Sequence, residues 1–304
     1  MEYVTIGREI YPGMVISLFC DSEYKFDQDC NACNLFRLII IEEGSGIAKL
    51  NNKRFLLNAP SLLCVSETES LCLEQGSNIK AKSLYFHPCA VNSNFNFSTI
   101  RNNNNALSPT EVNDCTCLQP YYTRTSEYAG YLNIGPLTLK RMLQLFDLIN
   151  NELTRQKDEF WPCRGRSYFL ELLFIVERIY FNPEITKEPV LPDHPNDIDS
   201  VILYLHTNYQ KKITIEELTK SFHINRNTLR ERFEAATGMS VLTYLINLRL
   251  RIAALILKDT TVPVSEIVDR VGFNDNTNFG RAFRKAYGCS PTEYRQEYCW
   301  LLKG

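Results

Sequence analysis

Histidine is scarce in this 304-residue sequence: His87, His194, His206 and His223 are the four, and only His87 falls in its strand-rich part. A metal-dependent enzyme on a small β-barrel needs several histidines and a carboxylate around one ion, and no such cluster is visible. A glycine-rich phosphate loop and a nucleophile elbow are missing too. An enzyme is therefore not expected, nor a cofactor. The first residues, Met-Glu-Tyr-Val-Thr-Ile-Gly-Arg, lack a basic-then-apolar signal, and no run approaches the ~18 consecutive apolar residues of a membrane span. The expectation is a soluble cytoplasmic chain with no membrane partner. Net charge is also small, at −2.

With 44% hydrophobic residues the chain can bury a sizeable core, and its length favours two domains over one. The charge is uneven: 15 Lys and Arg stand against 12 Asp and Glu from Asn196 onward, and 18 against 23 before it. Any nucleic-acid surface must come from charge placement rather than net charge. Eleven cysteines in a chain of this size, without a signal, are expected to stay reduced. Cys30-Asn-Ala-Cys33 has the spacing of a redox pair or half a zinc site, and Cys115-Thr-Cys117 could add two thiolates. Free cysteines also serve as small core residues, so sensing and plain packing both stand.

From Leu35 to about Phe86, short apolar runs alternate with turn residues. Leu38 to Ile41 is followed by Glu-Glu-Gly-Ser-Gly46, then Ile47 to Leu50, Asn51-Asn52, Arg54 to Leu57, Asn58-Ala-Pro-Ser61 and Leu62 to Val65. That pattern predicts an antiparallel barrel or sandwich. Period-2 alternation places Arg37, Ile39 and Ile41 on one face, and Ser83 with Tyr85 on another. If those faces point inward, Arg37, Ser83 and Tyr85 are the candidates to orient a small organic effector. The Asn-rich 92–105 stretch reads as a surface loop. Residues 139–153 form an amphipathic helix with Met142, Leu145, Phe146, Ile149 and Leu153 on one stripe, and 168–181 a helix apolar on almost every side, suited to a core or a subunit interface. Pro189, Pro192 and Pro195 mark a linker.

The last hundred residues contain a repeat. Leu218, Leu229, Phe233, Ala236, Gly238, Ser240 and Tyr244 recur without a gap, 50 residues later, as Val268, Phe279, Phe283, Ala286, Gly288, Ser290 and Tyr294. Each copy reads as helix, turn, helix, turn, helix. In the second, Ile267, Val268 and Val271 share a face, Gly272 ends the helix, Asp275 caps the next one, Gly288 stops it, and Ser290 with Glu293 forms a capping box. In the first, Thr214 with Glu217 has the same box pattern and Asn225 is the next cap. Val241 to Lys258 reads as one connecting helix, with Leu245, Leu248, Ile252, Leu255 and Ile256 on its apolar side. At about 1.5 Å per residue it is roughly 27 Å long. That length can hold two helices near the ~34 Å repeat of the DNA major groove.

Val201 to Arg295 resembles the AraC/XylS transcriptional regulators. The most specific piece is Val271-Gly-Phe-Asn-Asp-Asn-Thr-Asn-Phe-Gly-Arg-Ala-Phe-Arg-Lys-Ala-Tyr-Gly-Cys-Ser-Pro-Thr-Glu-Tyr-Arg295, similar to that family's signature nearly position by position. The part before the linker more loosely resembles the cupin-like sensor domain of many members, followed by their dimerisation helices. The implied fold is α+β: a cupin-like antiparallel barrel over 1–134, a helical dimerisation segment over 135–185, a linker over 186–197, and an all-α domain of two helix-turn-helix units over 198–304.

The resemblance implies that the second helix of each unit enters the major groove. Asn227, Arg230 and Glu231 would then face bases in the first unit, and Asn276, Thr277 and Arg281 in the second. Arg can fork onto guanine, Asn onto adenine, and Glu can accept from cytosine. Arg226, Arg232, Arg284 and Lys285 are placed for phosphates. Glu231 departs from the family, whose members often have Arg there. The implied partners are double-stranded DNA, a small-molecule effector, a second copy of the chain and, for an activator, RNA polymerase. The competing reading is a cupin-type enzyme with an accessory helical domain.

Overall fold

The computed structural model describes residues 3–26, 34–101, 107–125, 128–182, 191 and 197–302. A two-stranded ladder, β1 (Thr5–Ile6) with β2 (Val15–Ile16), precedes a six-stranded antiparallel sheet. The larger sheet contains β3 (Leu18–Asp21), β4 (Phe36–Leu50), β5 (Lys53–Asn58), β6 (Ser61–Val65), β7 (Leu71–Phe86) and β8 (Tyr131–Asn133). Its order is β3-β7-β4-β6-β8, with β5 also paired to β4. Antiparallel pairing agrees with the turn spacing. The expected break at residues 42–46 is not there: β4 runs through it as one strand. The reason is its partner β7, which accompanies β4 from Phe36↔Phe86 to Leu50↔Leu71 and absorbs Glu42-Glu43-Gly44 as shifts of register. Along the opposite edge β6 pairs with residues 37–41 and β5 with residues 45–50, separated by the cis Ala59-Pro60 bond.

Those shifts also reverse which residues face which way. Before them Arg37, Ile39 and Ile41 face one side and Phe36, Leu38 and Ile40 the other; after them Ala48 and Leu50 join the side of Ile39 and Ile41. The side bearing Phe36, Leu38 and Ile40 packs on the helices α4 (Pro136–Arg155) and α5 (Trp161–Tyr180) through Met142, Phe146, Phe169 and Leu172. Beyond the shifts, Ile47 and Leu56 face the C-terminal helices. Three shorter helices, α1 (Phe97–Arg101), α2 (Pro109–Thr116) and α3 (Gln119–Tyr122), cover the sheet between β7 and β8. Part of the expected 92–105 loop is thus helical: Asn96 Oδ1 accepts from the amides of Ser98 and Thr99, so asparagine there acts as a cap.

Of the expected linker, Leu191 is described and buried; its amide donates to the Arg54 carbonyl of β5 at 3.2 Å. The C-terminal part comprises α6 (Asp197–Asn208), α7 (Ile215–Ser221), α8 (Arg226–Thr237), α9 (Val241–Asp259), α10 (Val264–Arg270), α11 (Asn276–Tyr287) and α12 (Pro291–Tyr298). Two cores flank α9. Val241, Tyr244 and Leu245 join α6, α7 and α8 around Leu229 and Phe233; Leu250, Ala253, Ala254 and Leu257 join α10, α11 and α12 around Phe279 and Phe283. The expected apolar stripe of α9 is therefore replaced by two faces, one for each unit. Ile252, Leu255 and Ile256 are only half-buried, and with Leu248 they line a cavity of about 710 Å³ facing Ile134 and Asn58 of the sheet. No single described helix is long and apolar enough to cross a membrane.

Candidate nucleic-acid interface

Four short-range caps set the ends of the helices on which the candidate residues stand. Asn225 accepts from the Thr228 amide at 2.9 Å to start α8, and Asp275 from the Asn278 amide at 2.8 Å to start α11. Ser240 starts α9 and Ser290 starts α12, the latter with Glu293 completing the box from the Ser290 amide at 2.7 Å. Hydrogen bonds from the Ser290 amide and hydroxyl hold the Glu293 carboxyl below the usual carboxylate range. Gly238 and Gly288 close α8 and α11 in the left-handed conformation. Thr214 caps α7, but the other half of its expected box is absent. The Glu217 carboxylate instead accepts from the Tyr204 hydroxyl at 2.7 Å and ties α7 to α6.

Apolar side chains anchor each helix from below: Leu229 and Phe233 in α8, and Phe279 and Phe283 in α11, are essentially inaccessible. The opposite faces are open. Asn227, Arg230 and Glu231 are exposed on α8, as are Asn276, Thr277 and Arg281 on α11. Arg226, Arg232, Arg284 and Lys285 are exposed as well. Arg226 lies 3.7 Å from Glu216 and Arg284 3.6 Å from Glu293, both as solvent-exposed pairs. Such pairs are worth about 0–1 kcal/mol and exchange readily for a stronger anion such as phosphate. Each recognition-type helix thus presents amide and guanidinium groups outward on a rigid, doubly capped scaffold. The repeat places Glu231 of α8 at the position of Arg281 in α11, so the two units offer different chemistry at equivalent points.

Contacts with the sheet fix how this pair of units is held. Arg54 of β5 and Asp199 of α6 form an ion pair of 2.7 Å, 1% and 0% exposed, and Arg54 also reaches Glu74 at 2.7 Å. His206 of α6 bridges both sides: its Nδ1 is 2.8 Å from Asn58 Nδ2 and its Nε2 2.8 Å from the Tyr244 hydroxyl. Burial, with the nearby Arg251 charge, pushes the His206 pKa well below its ordinary value, so the ring is neutral. Its Nδ1 then accepts from Asn58 and its Nε2 donates to Tyr244. Periodicity in the sequence does not reveal these contacts, because they join residues about 40 to 150 positions apart.

Arg37, Ser83 and Tyr85 do come together: Arg37 pairs across with Tyr85, and Ile39 with Ser83, on the inner face of the sheet. All three are buried, Tyr85 stacks on Tyr3 at 4.0 Å, and Arg37 Nη2 donates to the Glu69 carbonyl at 2.5 Å. Cys30 and Cys33 lie outside the described residues. Cys115 and Cys117 are buried at the end of α2, and burial pushes the Cys117 thiol up to about 12 and raises Cys115 too. Both are held as protonated thiols, the opposite of what a metal ligand or redox nucleophile needs. His87 is engaged as a turn cap, accepting from the Cys89 amide at 3.2 Å. Among the described residues no group of three His, Cys, Asp or Glu is placed to hold a metal.

Comparison with known proteins matches the same stretch that carries the repeat. A helix-turn-helix domain family matches residues 218–297. The lactose operon transcription activator of Staphylococcus xylosus is 35% identical over 181 residues, 59% of this chain and 63% of that protein, so this chain spans less than two thirds of it. The transcriptional activator RhaR of Cronobacter sakazakii is 22% identical over 261 residues, 86% of this chain and 84% of that one. The C-terminal domain of AraT, a response regulator from Geobacillus stearothermophilus, is 26% identical and covers 34% of this chain and 88% of its own, with a TM-score of 0.34. The helix-turn-helix domain match over residues 218–297 thus falls within the paired units and contains their closing signature.

Proposed function

We propose that the chain is a sequence-specific, effector-responsive transcriptional regulator that acts in the cytoplasm as a homodimer. α8 and α11 enter successive major grooves. Asn227, Arg230, Glu231, Asn276, Thr277 and Arg281 read bases, while Arg226, Arg232, Arg284 and Lys285 hold phosphates. The observation that carries this reading is the exposure of all ten side chains on two helices built to one design. The N-terminal antiparallel sheet is a cupin-like sensor, and α4 with α5 supplies the dimer contact, in keeping with Leu148, Phe174 and Phe181 exposed on or beside them. A small organic effector is taken on the inner face of the sheet, where Ser83 Oγ is buried without a hydrogen-bond partner among the described residues and Arg37 and Tyr85 are its neighbours. The effector binds one arrangement of sensor and reader better than another and biases DNA occupancy by that difference. The relatives named as activators support a positive sign, exerted through RNA polymerase.

The test is selection of bound duplexes from a random-sequence pool, followed by two substitutions. Arg281→Ala should cost about 1–3 kcal/mol on the selected site and blunt discrimination at one base pair. Arg284→Ala should weaken selected and unselected DNA alike and lower the slope of log affinity against log salt by about 1. Equal losses on selected and random DNA for Arg281→Ala would remove it from the reading set.

A further inference from the structure

The N-terminus of α4 is capped from another domain. Its N-cap position is Gly135, which has no side chain to accept from the free amides of the first turn. The carboxylate of Asp259 does so instead: Oδ2 accepts from the Leu137 amide at 2.6 Å and the Thr138 amide at 2.9 Å, and Oδ1 from the Thr138 hydroxyl at 2.5 Å and the Trp300 indole at 3.0 Å. Asp259 is 4% exposed and is the last residue of α9, the helix that carries both reading units. A carboxylate is unfavourable at the C-terminus of its own helix and favourable at the N-terminus of another. Local helix preference in α9 therefore does not account for Asp259, whereas α4 does.

Gly135 supplies the matching half. Its backbone, φ −87° and ψ 170°, is open to any residue, so conformation does not require glycine. Space does: a Cβ at this position would lie 2.2 Å from Asp259 Cβ and 2.3 Å from its Oδ2. A missing side chain in the sensor half and an acid in the reader half thus make sense only together. Two neighbours brace the joint, Lys258 Nζ on Asn182 Oδ1 at 2.9 Å and Arg178 over the Trp300 ring at 5.1 Å.

We propose that Asp259 is a positioning residue for DNA binding, a shared helix cap that fixes the orientation of the paired reader on the α4–α5 pair. It rests on the DNA-reading assignment above. None of the ten reading or phosphate candidates is covered in the docked arrangement, so the joint orients the reader rather than masking it. The orientation needed for DNA is held in advance, and its loss is expected as lost affinity.

The experiment separates helix capping from positioning by using the whole chain in three forms: wild type, Asp259→Ala, and Gly135→Ser with Asp259→Ala. Serine at position 135 restores a cap to α4 from within its own segment, while its Cβ keeps residue 259 from closing. Amide hydrogen exchange at Leu137 and Thr138 should quicken about tenfold or more in Asp259→Ala and return toward wild type in the double variant. Affinity for a duplex selected from a random pool by the wild type should fall on the order of tenfold in both variants. Affinity for unselected duplex should stay unchanged. Exchange in α8 and α11 reports that the reader remains folded, and Asp259→Asn carries the same expectation where alanine unfolds the end of α9. Wild-type affinity in the double variant would reduce Asp259 to a helix cap and overturn the proposal. A wild-type chain that selects no sequence would instead overturn the DNA-reading assignment, and the proposal with it.

Discussion

His206 is the residue at which the chemistry of one side chain reaches furthest. It is neutral, buried and bonded to both the sheet and α9, so protonation at Nδ1 sets two donors against each other and breaks the Asn58 contact. Its folded pKa is depressed, so stability is fully present above the unfolded pKa of about 6.5 and declines as pH falls below it, because the unfolded chain then binds the proton that the folded chain refuses. Denaturant unfolding between pH 7 and pH 5 should lose up to about 1.4 kcal/mol per pH unit from this group. His87, also depressed by burial, adds a smaller slope weakened by its contact with solvent. His206→Gln should flatten most of the dependence, and a wild-type stability constant from pH 7 to 5 would contradict this role. From the sequence, His206 reads only as a structural histidine of the C-terminal part. Its burial depends on Asn58, 148 positions away, and periodicity within one helix carries no trace of such a partner. The caps Asn225, Ser240, Asp275 and Ser290 are legible for the converse reason: each acts on an amide three residues on.

Among the elements, the turns between helices separate two effects of glycine. Gly272 and Gly288 both have positive φ, +81° and +77°. A Cβ on Gly288 meets nothing within 4 Å, whereas one on Gly272 would lie 2.5 Å from the Gln210 carbonyl, where α10 abuts the turn after α6. Gly288→Ala should therefore cost only the conformational penalty, about 1–2 kcal/mol. Gly272→Ala should cost more and loosen the contact between the two units; equal melting temperatures for the two variants would contradict this. Strand β4 shows the limit of reading elements locally. Glu42-Glu43-Gly44 has the composition of a turn and is passed as a bulge because β7 stays beside it. The double face of α9 is another case: its apolar residues do recur at helical spacing, but which of them are buried is decided by two separate cores.

Over the whole molecule, the repeat makes the C-terminal fold readable, since each copy tests the other position by position. The joints between the sheet and the C-terminal units are not readable. Arg54 with Asp199, Asn58 with His206 and Gly135 with Asp259 join residues more than 120 positions apart. These joints tie the sheet, the α4–α5 pair and the C-terminal units together, and the 19 residues of α9 set the spacing of α8 and α11. At 1.5 Å per residue α9 is roughly 28 Å long, close to the ~34 Å between successive major-groove faces. If both helices bind as proposed, a rigid spacing of that size is expected to fit two subsites one helical turn apart and no half-turn. The most direct measurement is the affinity of the wild-type chain for a duplex selected from a random pool, compared with the same duplex carrying five extra base pairs between the subsites of α8 and α11. Placing the second subsite on the opposite face should cost about tenfold or more by removing one unit's contacts. Undiminished affinity for the five-base-pair insertion would contradict the paired reader.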